Sequence, residues 1–574
     1  MPSTQVRRGS QSVSVALLIA LTLLSGALLA PGLLVGPSLD AALFSHVGGR
    51  LLDGIAPYVG AWDHKPPGIY LASAAAQTAL GWLGPWTADW LISLAASVGL
   101  GAAVAAVLAR MQVAGWPRAL AALGATVLAS HYLLALGGGL TETPAAALVA
   151  WSLVLVIGPG SAARLGAMGA LVGISLLLSP QLLPGGLAVL GLACFLRPAG
   201  PGTAVALAVG VAAPLAAIAA WLAAVGALPA AIDAVVAYSG AYRASSGTYG
   251  STLAAPVVAW TTLASIFLVA PALLGAATLA AATQPRRAVM VAALVWFGAS
   301  IALFVGQGRF YAHYAIPLAV PMGVLAGLGL HRVRESLQHA GRSGARAVIV
   351  LPLVVTLAIS VVTGALSTAM QIAPVADQSA RMEAVAERLR DLPAGNLLVW
   401  GNEPRLYDLS GRVPATRFSY LYPLTTPGYS TAAQIDEVAR QLSAHPPAVV
   451  VDAGSVAPGQ PGFLPLLIDR PITTDGRDLD LLDPLRALVA EHYLLIDTVA
   501  GWPIYVYSEN SREMKAVTRH TSGLPCLSAF PPRGPDRVPQ SAPAAGGRWA
   551  SGRIGLSRKR NWCRGIGSGG RASS

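Results

Sequence analysis

The sequence predicts an all-α polytopic membrane protein, with about eleven transmembrane helices plus interfacial helices, followed by a small α/β extracytoplasmic C-terminal domain. Three observations predict it. Of 574 residues, 54% are hydrophobic and only 11% are charged, against about 25% charged in a typical soluble protein. Apolar runs such as 13–35, 88–109, 202–226, 253–282 and 347–370 are each long enough to cross about 30 Å of hydrocarbon. From about residue 374 the composition changes to amphipathic stretches alternating with short apolar ones. A soluble chain is excluded because one core cannot bury so many helices that are apolar all round.

Charge placement orders the elements. Arg7 and Arg8 precede the first apolar run, which reads as a retained signal anchor with its N-terminus inside. The stretch 36–66, with Asp40, Arg50, Asp53, Asp63, His64 and Lys65, is then external. The segment 67–84 is apolar but short, opens with Pro66-Pro67-Gly68 and ends among Trp82, Pro85 and Trp86. If it spanned, Arg110, Arg118, Arg164, Arg197, Arg286, Arg287, Arg332, Arg334, Arg342 and Arg346 would all face outward. If it lies in the outer interface, all face the cytoplasm, as the positive-inside rule requires. The helices expected are 13–35, 87–109, 119–137, 143–158, 165–180, 182–196, 202–226, 253–282, 288–306, 311–330 and 347–370. The division expected is a cytoplasmic N-terminus 1–12, a membrane domain 13–370, an extracytoplasmic α/β domain 371–509 and a tail 510–574. In the α/β domain, helices are expected at 378–391, 431–443 and 479–491, and strands at Leu397–Trp400, Ala448–Val451, Tyr493–Val499 and Ile504–Tyr507.

The net charge of +12 does not indicate a nucleic-acid partner. Twelve of the 38 Lys/Arg but only two of the 26 Asp/Glu fall in residues 511–574, so the rest is nearly neutral. The basic, Gly/Pro/Ser-rich tail reads as a solvated disordered extension. Three cysteines, Cys194, Cys526 and Cys563, show neither metal-site nor disulfide spacing.

Polar groups gather at the expected outer ends of the helices, where ionisable groups are costly and invite a functional account. Asp40 can serve as a general base on an acceptor hydroxyl or as ligand to a divalent cation; equally, Ser38 or Asp40 can simply cap a helix. Lys65, in Trp62-Asp63-His64-Lys65-Pro66-Pro67-Gly68, suits a phosphate or a snorkelling interface position. Gly137-Gly138-Gly139-Leu140-Thr141-Glu142 lets the chain bend before a carboxylate that either faces Asp40 or only starts a helix. Gly306-Gln307-Gly308-Arg309-Phe310-Tyr311-Ala312-His313-Tyr314 and the loop 227–252, with Asp233, Tyr238, Tyr242, Arg243 and Tyr249, add charge and rings. An aromatic belt explains the rings but not Arg309 and His313.

Taken in order, Asp40, Asp63-His64-Lys65-Pro66-Pro67-Gly68, Gly139-Leu140-Thr141-Glu142, Arg309-Phe310-Tyr311-Ala312-His313-Tyr314 and Val399-Trp400-Gly401-Asn402-Glu403-Pro404 resemble the C-type membrane glycosyltransferases of the protein-mannosyltransferase-like and aminoarabinose-transferase-like group. The resemblance covers roughly 13–509. It implies a polyprenyl-phosphate-sugar donor and transfer, on the external face, of a hexose or pentose to a lipid, glycan or protein acceptor. It implies Asp40, Glu142 and Asp63 as catalytic candidates, and Lys65 on the donor phosphate with Arg309 or Arg243. The neighbouring candidates for substrate contact are His64, Tyr58, His313, Tyr314 and Tyr242. Many members carry an Asp-Glu pair where this chain has Asp40-Ala41, which weakens a metal-ion role. The rival function, a flippase for lipid-linked sugars, predicts paired repeats with broken midplane helices; the polar groups here lie at one face.

Overall fold

The computed structural model describes residues 13–158, 160–197, 201–245, 268–339, 343–455, 466 and 480–509. Arg7, Arg8, Tyr249, Arg342, Cys526, Cys563, the first part of the 253–282 run and the tail 510–574 lie outside those residues. The rest is mostly helical, and five of its helices are long and apolar enough to cross a bilayer: Val15–Val35, Pro85–Arg110, Pro201–Ala224, Arg286–Gln307 and Ala312–Gln338. Shorter apolar helices occupy Glu142–Val156, Ala162–Leu178, Pro180–Leu196, Leu268–Ala277 and Val354–Thr363.

The elements that build the site come first in the chain. Helix α1 (Val15–Val35) starts at Ser14, whose hydroxyl accepts the Leu17 amide, and stops at Gly36, where φ is +97°. After Pro37, α2 (Leu39–Leu52) begins at Ser38. The interfacial candidate becomes α3 (Gly68–Leu80), thirteen residues and so about 20 Å long, short of a hydrocarbon core. Helix α4 (Pro85–Arg110) follows, and α5 (Trp116–Ser130) after it. The expected helix 119–137 is broken. His131 leaves helical geometry at ψ 129°, and a four-residue turn, α6 (Tyr132–Ala135), leads into Gly137-Gly138-Gly139, with φ +82°, +105° and +80°. Only glycine adopts three such conformations in succession without strain. Helix α7 (Glu142–Val156) then starts on the carboxylate residue itself.

Small residues set the closest helix approaches. A β-carbon on Gly169 of α8 (Ala162–Leu178) would stand 2.6 Å from the Leu207 carbonyl of α10 (Pro201–Ala224), and one on Gly210 would collide with the Gly166 carbonyl. In hydrocarbon, helices gain little from apolar burial against one another, so such backbone contact supplies much of the association.

The change of composition near 371 falls inside one long helix, Ser343–Arg390. Beyond it lies a four-stranded sheet of order β1-β2-β4-β3 (Leu397–Trp400, Val449–Asp452, Tyr493–Val499, Trp502–Tyr507). β1 pairs parallel with β2, and the other pairs are antiparallel. Alternation along β1 divides its side chains. Leu397 and Val399 join Met382, Val385 and Leu389 of the long helix, while Leu398 and Trp400 join the cluster holding Ile435, Val438, Leu485 and Val489. The expected strands and the helices 431–443 and 479–491 appear within a few residues of their predicted limits, whereas the helix expected at 378–391 is the end of the long helix Ser343–Arg390, which also takes in the expected span 347–370.

Polar contacts fasten the sheet region to α1 and α2. The Ser379 hydroxyl donates to the Val35 carbonyl and receives Arg405 Nη1 at 2.9 Å. Gln378 Nε2 donates to Glu403 Oε1 at 2.7 Å, and His46 Nδ1 meets Asp408 Oδ1 at 3.0 Å. Glu403 Oε2 is buried without a partner among the described residues. Burial raises the Glu403 carboxyl to about 7, against the Gln378 hydrogen bond and the Arg405 charge. Between its ordinary 4.5 and about 7 the folded protein holds a proton that the unfolded chain has released. Stability therefore falls as pH rises through that window, at most by about 1.4 kcal/mol per unit. Denaturation of the solubilised protein across the window should show this slope, and Glu403→Gln should flatten it.

Candidate active site

Ser38, not Asp40, takes the cap of α2: its hydroxyl accepts the Ala41 amide at 3.3 Å. Asp40 sits in the first turn with its carboxylate not engaged in capping, where the helix N-terminus favours negative charge. Ala41, next to it, is 4% exposed and packed directly on Gly139. Ser93 of α4 holds that same glycine, accepting its amide at 2.7 Å. This contact brings the N-terminus of α2 against the glycine turn that ends in Glu142. It also accounts for alanine in the second position of the acidic pair, since a longer side chain there would meet backbone. Glu142 is 1% exposed, and its Oε1 has no hydrogen-bond partner among the described residues.

Lys65 reaches the same place from a third segment. Its backbone carbonyl accepts hydrogen bonds from the hydroxyls of Tyr58, at 2.8 Å, and Tyr70, at 3.1 Å. Nζ lies 5.9 Å from the centre of the Tyr314 ring. Burial by itself would lower the ammonium's proton affinity; Tyr314, Glu142, Asp40 and Asp63 outweigh it and hold the pKa above the ordinary value. The same Asp40, Glu142 and Lys65 act electrostatically on His313 and Tyr314. Asp40, Glu142, Lys65, His313 and Tyr314 thus form one electrostatic cluster at one end of the helices.

The remaining candidates surround this cluster in different ways. Asp63 is fully buried, and both its oxygens are occupied. Oδ1 receives the His64 amide at 2.7 Å and the Tyr420 hydroxyl at 3.0 Å, while Oδ2 receives the Tyr70 hydroxyl at 2.6 Å. Burial would raise its pKa, but the His64 charge and these bonds hold the carboxyl below its usual range. His64 Nδ1 stands 3.0 Å from Asp63 Oδ1 and 3.3 Å from the Tyr420 hydroxyl, its ring beside the stacked pair Tyr238 and Tyr242. Tyr58 is wholly buried at φ +66° and supports the Lys65 backbone from inside. Arg309 stacks on Tyr242 at 3.7 Å, and its Nη2 reaches the Ser245 hydroxyl at 2.8 Å. The Tyr242 and Tyr311 hydroxyls meet at 2.6 Å. Arg243 lies beside Gly306.

Sequence reasoning missed the contribution of the C-terminal region. The Trp62 amide donates to the Arg417 carbonyl at 2.8 Å, Trp62 forms a parallel bridge with Phe418, and Tyr420 bonds Asp63. Tyr422 approaches Tyr242, with ring centres 6.5 Å apart. The alternating Arg417-Phe418-Ser419-Tyr420-Leu421-Tyr422 was the signal that could have found them.

The described residues offer no closed protein cage for a resident divalent cation. No group of three His, Cys, Asp or Glu side chains among the described residues has metal-ligand placement. The position beside Asp40 is a buried alanine, and a lysine ammonium already carries positive charge toward the two acids.

No known protein-family profile matches the chain, and no curated protein matches it in sequence. Solved structures do. ArnT from Cupriavidus metallidurans bound to undecaprenyl phosphate aligns with a TM-score of 0.51 at 15% identity, over 86% of this chain and 98% of that one. The apo state of the same protein gives 0.50 at 15%, over 86% and 97%. This chain has an ArnT-like fold. The ArnT-like scaffold here includes both the membrane helices and the sheet region, because 86% of 574 residues cannot be matched by either alone.

Two substitutions probe the assembly. Gly139→Ala forces a β-carbon into Ala41 at a left-handed φ, and should lower stability by about 1–3 kcal/mol, read as thermal unfolding in detergent. Tyr420→Phe keeps the ring but removes one bond to the buried Asp63 carboxylate. It should cost about 1.5–3 kcal/mol in the same assay, and an unchanged melting temperature would show that Asp63 is held without it.

Proposed function

We propose that this protein is a membrane glycosyltransferase that moves a hexose or pentose from a polyprenyl-phosphate donor to a lipid, glycan or protein acceptor on the extracytoplasmic face. The observation that carries this reading is the meeting of Asp40, Glu142 and Lys65, from three separate segments, within an ArnT-like fold. The solved ArnT structure is bound to undecaprenyl phosphate, and a lysine ammonium without an ion-pair partner within 4 Å among the described residues suits the phosphate of such a donor.

In the proposed reaction the acceptor hydroxyl oxygen attacks the anomeric carbon. The bond from that carbon to the phosphate oxygen breaks, and polyprenyl phosphate departs with both electrons. Asp40 takes the hydroxyl proton. Lys65 neutralises the phosphate as negative charge concentrates on it, an effect strengthened by the buried setting. Glu142 orients the acceptor or the sugar. Asp63 is a positioning residue with Tyr58 and Tyr70, fixing the loop that carries Lys65. His64, Tyr242, His313 and Tyr314 line the sugar-facing side, and Arg309 is a second source of positive charge near the donor.

The proposed topology has about eleven crossings, an inside N-terminus and α3 in the outer interface, which puts the cluster and the sheet region outside. The proposed division is 1–12, 13–370, 371–509 and the tail 510–574, with the third part closing over the site through Tyr420 and Tyr422.

The test supplies purified protein in liposomes with radiolabelled polyprenyl-phosphate hexoses and pentoses. Asp40→Asn and Lys65→Ala should each lower turnover by at least about a hundredfold with normal expression. Full activity in Asp40→Asn would remove it as the base. Movement of intact donor across the bilayer without glycosyl transfer would replace the transferase with a flippase.

A further inference from the structure

At the end of the helices away from the candidate active site, two arginines bond the end of α7, and a third, at the end of α4, lies within reach of their charge. Arg164, in the first turn of α8, donates from Nε to the Leu155 carbonyl at 2.8 Å and from Nη2 to Val154 at 3.4 Å. Arg197, just after α9 (Leu183–Leu196), donates from Nη2 to Val156 at 3.1 Å and to Gly158 at 3.0 Å. These bonds satisfy the last carbonyls of α7, a frequent need at helix ends. Arg110 ends α4, and the Arg164 charge acts on both Arg110 and Arg197.

Helix capping does not account for all of this charge. The end of α7 offers roughly half a negative charge against three guanidinium groups. Between residues 64 and 232 the sequence contains only two acids, Asp89 and Glu142. Glu142 starts α7 and so lies at its opposite end; Asp89 lies near the start of α4 and accepts from Ser73. By contrast, the other arginine group on this side includes Arg332, which is paired with Glu335 at 3.1 Å. Arg110 Nη1 and Arg197 Nη1 are buried and have no hydrogen-bond partner among the described residues. Buried guanidinium donors without a partner are costly, and a phosphate oxyanion satisfies them with bidentate bonds. The surroundings are apolar: Phe195, two residues before Arg197, is 67% exposed, as a side chain facing acyl chains would be.

We propose that Arg110, Arg164 and Arg197 form a binding site for a phosphate oxyanion, presented by the headgroup of an anionic lipid in the leaflet opposite the candidate active site. The headgroup neutralises the excess charge and bridges the ends of α4, α7 and α9. This site is independent of the transferase reading and would serve a flippase equally.

The test measures lipid retention by the full chain, using native mass spectrometry with phosphatidylglycerol or phosphatidylcholine added in detergent. Wild type should retain phosphatidylglycerol preferentially. Arg110→Gln, which removes no described hydrogen bond, should weaken that retention about fivefold, the value of about 1 kcal/mol per basic residue. It should leave phosphatidylcholine retention and thermal stability unchanged, and Arg110→Lys, which keeps the charge but not the paired donors, should restore only part of the loss. Inorganic phosphate that displaces phosphatidylglycerol would identify phosphate alone as the recognised group, and failure to displace it would identify the membrane-anchored headgroup. Equal retention of the two lipids by wild type, or phosphatidylglycerol retention unaltered in Arg110→Gln, would overturn the proposal.

Discussion

The buried carboxylate of Asp63 organises the end of this protein that carries Asp40, Lys65 and Glu142. An ionised acid removed from water is tolerable only with its lone pairs filled, and here the donors come from three places: its own neighbour His64, Tyr70 on α3, and Tyr420 beyond the long C-terminal helix. Meeting that requirement fixes the loop 57–67 against α3 on one side and the sheet region on the other. The orientation of Lys65 is a consequence, because its backbone carbonyl is gripped by Tyr58 and by the same Tyr70 hydroxyl that serves Asp63.

A second constraint acts from the membrane side. Ala41 rests on Gly139, and Gly32 rests on Gly137, each at a distance that excludes a further side-chain atom. Backbone packed this closely is stiff, as interiors generally are. It sets the start of α2 and the start of α7 relative to each other, and hence Asp40 relative to Glu142. The three charged groups are therefore located by two different physical means: a saturated hydrogen-bond network for Lys65, and close contact between small residues for the two acids. Neither depends on the charged groups attracting one another, so their unsatisfied valences remain for a ligand.

The sheet region is part of this arrangement. Its β1 strand is buried on both faces, against the long helix Ser343–Arg390 and against the helices 432–444 and 483–492. The segment leaving it, Arg417–Tyr422, runs back to Trp62, Asp63 and Tyr242. The buried Glu403 and Arg405, with Gln378 and Ser379, hold the same region to the end of α1.

The sequence by itself determined the apolar, mostly helical character and the four strands, because these follow from composition and local periodicity. It also singled out Asp40, Lys65 and Glu142, since charges at helix ends in an apolar chain are conspicuous whatever their neighbours. Only the tertiary structure decided among their alternatives. Ser38 takes the cap and leaves Asp40 out of it, the Asp63 oxygens are filled by His64, Tyr70 and Tyr420, and Arg309 stacks on Tyr242. The break at His131 and the contribution of Tyr420 were likewise invisible along the chain. Tyr420 and Asp63 lie 357 residues apart, and periodicity carries no information at that range.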